Sequence, residues 1–305
     1  MELEGDRWHS LPSVGSRRSA WVRSTGGPGA AAWLLAPTRP QHHIDDADFR
    51  RLLRLRLYQP LDGTALSAEA EQSPDVAMSI DGLDDEDEED DGNTPDPQGI
   101  NELGRKQGGY AVQRHDAMRD QLAAIACRGL PGDARVEPRT NTNNGDRLDL
   151  RWAGTDGIQE WIDTAIVNPT SARALAANAH RFRGAAARRA ELGKARRYPD
   201  VPNLRPAVFE AGGRMGTQML SILRGLCPHP ATDPRRRSAW ITEAQQDLSV
   251  TLQKAHARAL RDAAARASAP RPIAAPALPA GAPQQAAAVQ PGAAALPVAA
   301  SAIGT

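Results

Sequence analysis

The sequence predicts an α/β fold, a small mixed sheet with helices on both faces, confined mainly to residues 101–226. Two observations point to it. Between residues 108 and 226, stretches with helical spacing of apolar residues alternate with short apolar or period-two stretches, in the order helix, strands, helix, strand, helix. Outside that region the chain lacks the means for a second large core: aromatics are 4% of 305 residues, Gly and Pro number 26 and 24, and mean hydropathy is −0.51. Such composition cannot bury enough apolar surface to offset the entropy of ordering.

Taken in order, residues 1–30 are rich in Gly, Ser and Arg without periodicity and are expected to lack regular structure. Residues 31–62 form a helical segment. There "HHIDDADFRRLLRLRLYQP" gives Asp45 or Asp46 as N-cap, sets Phe49, Leu52, Leu53 and Leu57 on one face, and ends at Pro60. Residues 63–100 contain the run "DDEDEEDD" and few bulky apolar residues, which reads as a disordered acidic insert. In "RHDAMRDQLAAIACRG" a helix buries Met118, Leu122, Ile125 and Ala126 and stops at Gly129 and Pro131.

A short strand is expected around Val136, then a polar turn, then the alternating strand "RLDLRW". After the Asp156–Gly157 turn comes the more apolar strand "IQEWIDTAIVNP". An Ala- and Arg-rich stretch reads as one long helix over about 171–198, and "RPAVFEAGGRMG" as strand, glycine turn and helix start. Residues 227–267 make a linker and a long helix from about 238, with Ile241, Leu248, Leu252 and Leu260 available for packing. Residues 268–305, almost entirely Ala, Pro, Gly and Gln, are expected to be a disordered tail.

Formal net charge is zero, but it is unevenly distributed: residues 101–270 carry 27 Lys and Arg against 17 Asp and Glu. A polyanion is the partner such a surface suits, and the acidic run could mimic one intramolecularly. Two cysteines are too few for a structural zinc site or a disulfide framework, which favours an intracellular setting. No stretch of ~20 uninterrupted apolar residues occurs, so no membrane partner is expected. The cluster His42, His43, Asp45 and Asp48 reads as solvated residues before an N-cap rather than as a metal site.

Chemistry is suggested by two aspartates within strands, where aspartate is a poor fit. Alternation turns Asp149 away from Leu148 and Leu150, and sets Asp163 on the face of Ala165. If the two strands are neighbours, both carboxylates converge at one end of the sheet, where a cation must separate them. Magnesium suits all-oxygen ligands and phosphodiester hydrolysis. Lys194 is one of three lysines in a chain with 34 arginines. Its compact ammonium can stabilise a developing oxyanion or orient water, and Glu191 and Tyr198, one helical turn away on either side, share its face.

The same segments, in the same order, resemble the C-terminal region of non-LTR retrotransposon polyproteins that end in a restriction-like endonuclease. The likeness runs over about residues 31–265. It includes "WLLAPTRPQHHIDDADFRRLLRLRLYQPL", "GGYAVQRHDAMRDQL", "RLDL" at the first acidic motif, and "EWIDTAIVNP" at the second. "AELGKARRYPD" matches the family's lysine helix and "VFEAGGRMG" its closing segment. It implies a restriction-endonuclease-like (PD-(D/E)XK) fold, with a nuclease domain over 101–226, and Mg²⁺- or Mn²⁺-dependent cleavage of DNA, in a nuclear setting. Asp149 and Asp163 would be metal ligands, with Lys194 completing the catalytic set in place of the motif lysine, whose position holds Ala165. Arg114, His115 and Asp116 would line the DNA side, with Arg188, Arg189, Arg196 and Arg197 on phosphate and Glu210 a more distant candidate.

Two departures accompany the likeness. Residues 63–100 contain no Cys or His where the family has a zinc knuckle, and no reverse transcriptase is present. They suggest an element fragment, a decayed copy or a derived host gene, and they support a second expectation: a catalytically silent protein that binds DNA or RNA, or acts as a scaffold. A dinucleotide site at "VFEAGGRMGTQML", where Ala211, Gly213 and Gly216 approximate G-x-G-x-x-G, lacks the following strand and acid it would need. No small-molecule cofactor is expected.

Overall fold

The computed structural model describes residues 13–61, 98–104, 109–140, 147–154 and 156–268. The acidic run and the Ala/Pro-rich tail lie outside the described residues. The central helix, α4 (Tyr110–Gly129), is entered from Gly109 in the left-handed region at φ 71° and buries Met118, Leu122, Ala123, Ile125 and Ala126. These residues recur at helical spacing, so one stripe of α4 meets the sheet while another side lies along α8 (Pro234–Ser268).

Four strands follow in sheet order β1-β2-β3-β4: β1 (Arg135–Val136), β2 (Leu150–Ala153), β3 (Gln159–Val167) and β4 (Leu204–Glu210). The first three pair antiparallel, and β4 joins β3 in parallel from Trp161↔Leu204 to Val167↔Glu210. The turn between β2 and β3 is held by Asp156, whose Oδ1 accepts the Ile158 N–H at 3.0 Å, and by Gly157 at φ 78°. A parallel pair needs a crossover, which here contains α5 (Ala172–Ala176) and α6 (Ala185–Arg197). After β4 come α7 (Thr217–Leu226) and α8 (Pro234–Ser268), and a short α3 (Ile100–Gly104) precedes α4.

Two layers cover the sheet. On one face Leu150, Trp152, Ile162, Ala207 and Phe209 pack against Leu122 and Ile125 of α4, Met219 and Ile222 of α7 and Leu248 and Leu252 of α8. On the other, Ala165 and Val208 meet Ala187 of α6. Small side chains there let α6 approach the sheet closely, which brings its Glu191 and Lys194 within reach of the strands. Truncating a residue such as Leu122, which is fully buried, costs about 2–5 kcal/mol.

Four expectations need correction. Residues 13–24, expected to lack regular structure, form α1 (Ser13–Ser24). Its Trp21 is buried and donates from Nε1 to the Leu55 carbonyl at 2.7 Å, a long-range contact that local composition cannot reveal. In α2 (Asp46–Arg56), capped by Asp45, the buried face is Leu52 and Leu55, while Phe49 and Leu57 are exposed. The helix expected over 171–198 breaks after α5, where Asn178 and Gly184 take φ of 63° and 77°. Of the apolar residues on α8, Leu248, Leu252 and Leu260 are buried whereas Ile241 is half-buried. No helix among the described residues is long and apolar enough to cross a membrane.

Candidate active site

At one end of the sheet the ladder between β2 and β3 stops at Leu150↔Ile162. Residue 149 is a bend, and its side chain replaces the missing backbone acceptor: Asp149 Oδ2 accepts the Thr164 N–H of β3 at 2.5 Å. The bend also breaks the alternation. Leu148 packs with Trp161, Tyr198 and Val201, whereas Leu150 belongs to the opposite face. Asp149 is thus pinned against β3 beside Asp163 instead of standing free on a regular strand.

Lys194 reaches the same place from α6. Its Nζ lies 2.9 Å from Asp163 Oδ2, with the two side chains only 11% and 10% exposed. The helix face that carries it reads Ala187, Glu191, Lys194, Tyr198, and each residue has a separate contact. Ala187 packs on the sheet, Glu191 Oε1 accepts the Gln218 N–H at the start of α7 at 2.8 Å, and Tyr198 closes the cluster around Leu148. Spacing of three and four residues places all of them toward the strands.

From α4, His115 Nε2 sits 3.1 Å from the same Asp149 oxygen. Burial alone would pull His115 down, but the hydrogen bond and charge of Asp149 outweigh it and hold the imidazole above its ordinary range. Burial likewise opposes ionisation of Asp149, yet His115, the Thr164 N–H and the charge of Lys194 together keep its carboxyl below the usual carboxylate range. The Lys194 charge therefore acts on both aspartates.

The sequence-predicted residues divide into three groups. Asp149, Asp163 and Lys194 come together. His115 joins them through Asp149, a role the sequence did not suggest, since it pointed His115 toward DNA. Arg114, one residue earlier and so about 100° around the helix, leaves the cluster and lines a cleft against α8. Asp116 stays on α4, with Oδ1 3.0 Å from Arg119 Nη1. Arg188, Arg189, Arg196 and Arg197 all lie exposed on the outer side of α6. Arg189 donates to the Arg173 carbonyl at 3.0 Å, and Arg197 stacks over Tyr198.

Glu210 is separate: its Oε1 accepts the Ala187 N–H near the start of α6 at 3.2 Å, and burial pushes its carboxyl up. The four residues of the conceivable His-Asp metal site do not converge either, as His42 bonds Asp247 at 2.6 Å, Asp45 caps α2 and Asp48 pairs with Arg51. Where a pyrophosphate would meet the N-terminus of α7, Glu191 is already seated, so tightly that a Cβ on Gly216 would lie 2.3 Å from its Oε1. That leaves no room for the dinucleotide reading.

Among the described residues no group of three or more His, Cys, Asp and Glu side chains is gathered for a metal. The donor set is two carboxylates, one at the bend before β2 and one on β3. It is an all-oxygen set of the size that a magnesium ion takes from protein while keeping waters and substrate oxygens, and the ammonium of Lys194 on Asp163 shows that the position draws a cation. Compared with protein-family models, with curated proteins and with solved structures, the chain matches none.

Proposed function

We propose that the protein is a restriction-endonuclease-like phosphodiester hydrolase acting on DNA, derived from a retroelement of the restriction-like class. The observation that carries this reading is the Lys194–Asp163 contact of 2.9 Å beside Asp149, with the Lys194 charge felt by both acids. The element order supports it. A helix, three antiparallel strands, a crossover helix and a parallel fourth strand make a mixed sheet flanked by helices, the general architecture that the resemblance implies.

Asp149 and Asp163 would hold a magnesium or manganese ion, which supplies charge stabilisation at the scissile phosphate when bound. The chain's own residues provide the remainder. Lys194, fixed by Asp163, brings the positive charge that meets negative charge developing on the phosphoryl oxygens. His115 and the Thr164 N–H orient Asp149. Ala165 stands where the general motif has its lysine, and it is 2% exposed against Ala187 and Val208. No cation fits there, so Lys194 takes that role from the neighbouring helix. The exposed arginines of α6 would contact backbone phosphates without reading sequence.

Nicking of supercoiled plasmid with Mg²⁺ or Mn²⁺ tests the reading. Activity in the wild type that disappears in Asp149→Ala, Asp163→Ala and Lys194→Ala is expected; activity that all three variants retain overturns it. A second reading, a silent nucleic-acid-binding protein, is favoured by one feature: both carboxylates already have protein partners, His115 and the Thr164 N–H on Asp149 and Lys194 on Asp163. DNA retardation that is equal with and without Mg²⁺, with no nicking and no response to Asp163→Ala, would establish it instead.

A further inference from the structure

About 100° around α4 from His115, a cleft of about 370 Å³ opens between α4 and α8, within the size range of small-ligand sites. Three of its lining side chains are cationic: Arg114 from α4, and Lys254 and Arg258 from α8. Lys254 and Arg258 are four residues apart and therefore share one helix face. Asp247, an acid on the lining, is already bound to His42 and Arg128, and so it does not neutralise the three cations.

Arg114 is the unusual member. Its Nε is buried and has no hydrogen-bond partner, although buried guanidinium N–H groups are ordinarily paired. Burial draws its pKa down only to about 10, so the group stays charged at neutral pH. A buried donor left without a partner costs about 1–3 kcal/mol, more when charged. Arg114 also lines the cleft, so an anion bound there would compensate the charge of its guanidinium. Neutral donors and acceptors complete the wall, among them Gln113, Gln121 and Thr251, which suit the sugar and base atoms of a nucleotide better than a bare ion alone.

We infer that the α4–α8 cleft is a phosphate-binding site for a nucleotide, with Arg114 as the buried anchor and Lys254 and Arg258 at the mouth. The phosphate could belong to a free nucleotide or to a nucleic-acid strand. Since Arg114 and His115 are consecutive residues on α4, a strand held at the cleft would lie alongside the Asp149 site. The site stands on its own geometry and does not depend on cleavage.

Thermal unfolding of the full chain tests this with three probes: inorganic phosphate, adenosine monophosphate, and a short oligothymidylate bearing a 5′-phosphate. At saturating probe, Tm is expected to rise by about 5 °C. That rise should vanish in the double variant Lys254→Gln, Arg258→Gln, whose side chains are exposed and which gives up one bond, from Lys254 to the Gln41 carbonyl, and should persist in Lys194→Gln. A shift with phosphate and adenosine monophosphate identifies a free-nucleotide site, while a shift with the oligonucleotide alone identifies a strand. No shift with any probe, a shift surviving in the double variant, or a shift abolished by Lys194→Gln would overturn the assignment. The last would place the phosphate at the aspartate cluster, and nicking that remains intact while the cleft fails separates the two readings.

Discussion

Four carboxylates meet the inner side of α6 or the strand end beside it, and the fold uses them in two ways. Glu191 and Glu210 accept backbone N–H groups at helix starts, Gln218 of α7 and Ala187 of α6. Burial dominates at both and pushes their carboxyls up. Asp149 and Asp163 also face side-chain cations, His115 and Lys194, and Asp149, which accepts the Thr164 N–H as well, is held down despite its burial. A carboxylate that caps a helix is consumed by the fold, since its oxygen completes an orphan donor. A carboxylate paired with a side-chain cation can exchange that cation for a metal or substrate. The distinction rests on what each oxygen touches and not on burial.

Activity breaks the comparison most sharply. In a plasmid-nicking assay, Asp163→Asn or Lys194→Gln should lower the rate by about 10²–10³-fold, whereas Glu191→Gln, which keeps an acceptor for Gln218, should leave it within about threefold. Equal losses in the two classes would show that α6 merely needs intact packing. Stability should respond in the opposite order. Glu210→Ala removes a cap and opens space beneath α6, costing about 2 kcal/mol in urea unfolding. Asp163→Asn combined with Lys194→Gln removes both charges together and should stay within about 1 kcal/mol of wild type. A double variant less stable than Glu210→Ala would make the ion pair a structural strut.

The sheet and its flanking helices were legible because their signals are local. Met118, Leu122, Ile125 and Ala126 recur at helical spacing and are all buried, and Pro169 and the glycines after Glu210 mark strand ends. Lys194 stood out because arginine serves almost everywhere else as the cation. What was hidden depends on distant partners. Trp21 is buried only because Leu55 presents a carbonyl to it, and nothing within residues 13–24 announces that. The break before α6 turns on left-handed backbone at Asn178 and Gly184, one glycine in an alanine-rich run that otherwise favours helix. His115 was assigned to DNA because a bend at residue 149, which swings the aspartate toward α4, leaves no trace in the alternation of "RLDLRW".

A smaller effect sharpens the role of that bend. Folding raises the proton affinity of His115 above its ordinary 6.5 and lowers that of Asp149 below its ordinary 3.8. The histidine's contribution to stability is therefore complete below pH 6.5 and is lost as pH rises through the higher folded value. The aspartate's is complete above pH 3.8 and is lost as pH falls through the lower folded value. Between them both partners are charged and the contact is strongest. In an NMR titration without metal, His115 should titrate above 6.5 in the wild type, and its midpoint should fall in Asp149→Asn, where burial then dominates. An unmoved midpoint would mean that Asp116, whose Oδ1 lies 3.6 Å from Nδ1, holds the proton instead.

The weakest expected effect concerns the outer face of α6. Arg188 and Arg196 are exposed, so each phosphate contact they make is fully screened by salt and releases counterions on binding. Loss of one contact lowers the slope of log K against log salt by about 0.9 for duplex DNA. Arg188→Gln with Arg196→Gln should flatten the slope by up to about twice that while leaving the folded chain unperturbed, because neither guanidinium is buried. The inner face of the same helix should behave differently: Glu191→Gln, which keeps the acceptor for Gln218, ought to leave the salt slope alone. If the arginine pair changes nothing, the phosphate backbone approaches from the α4 side instead, and α6 contributes only its inward face to the site.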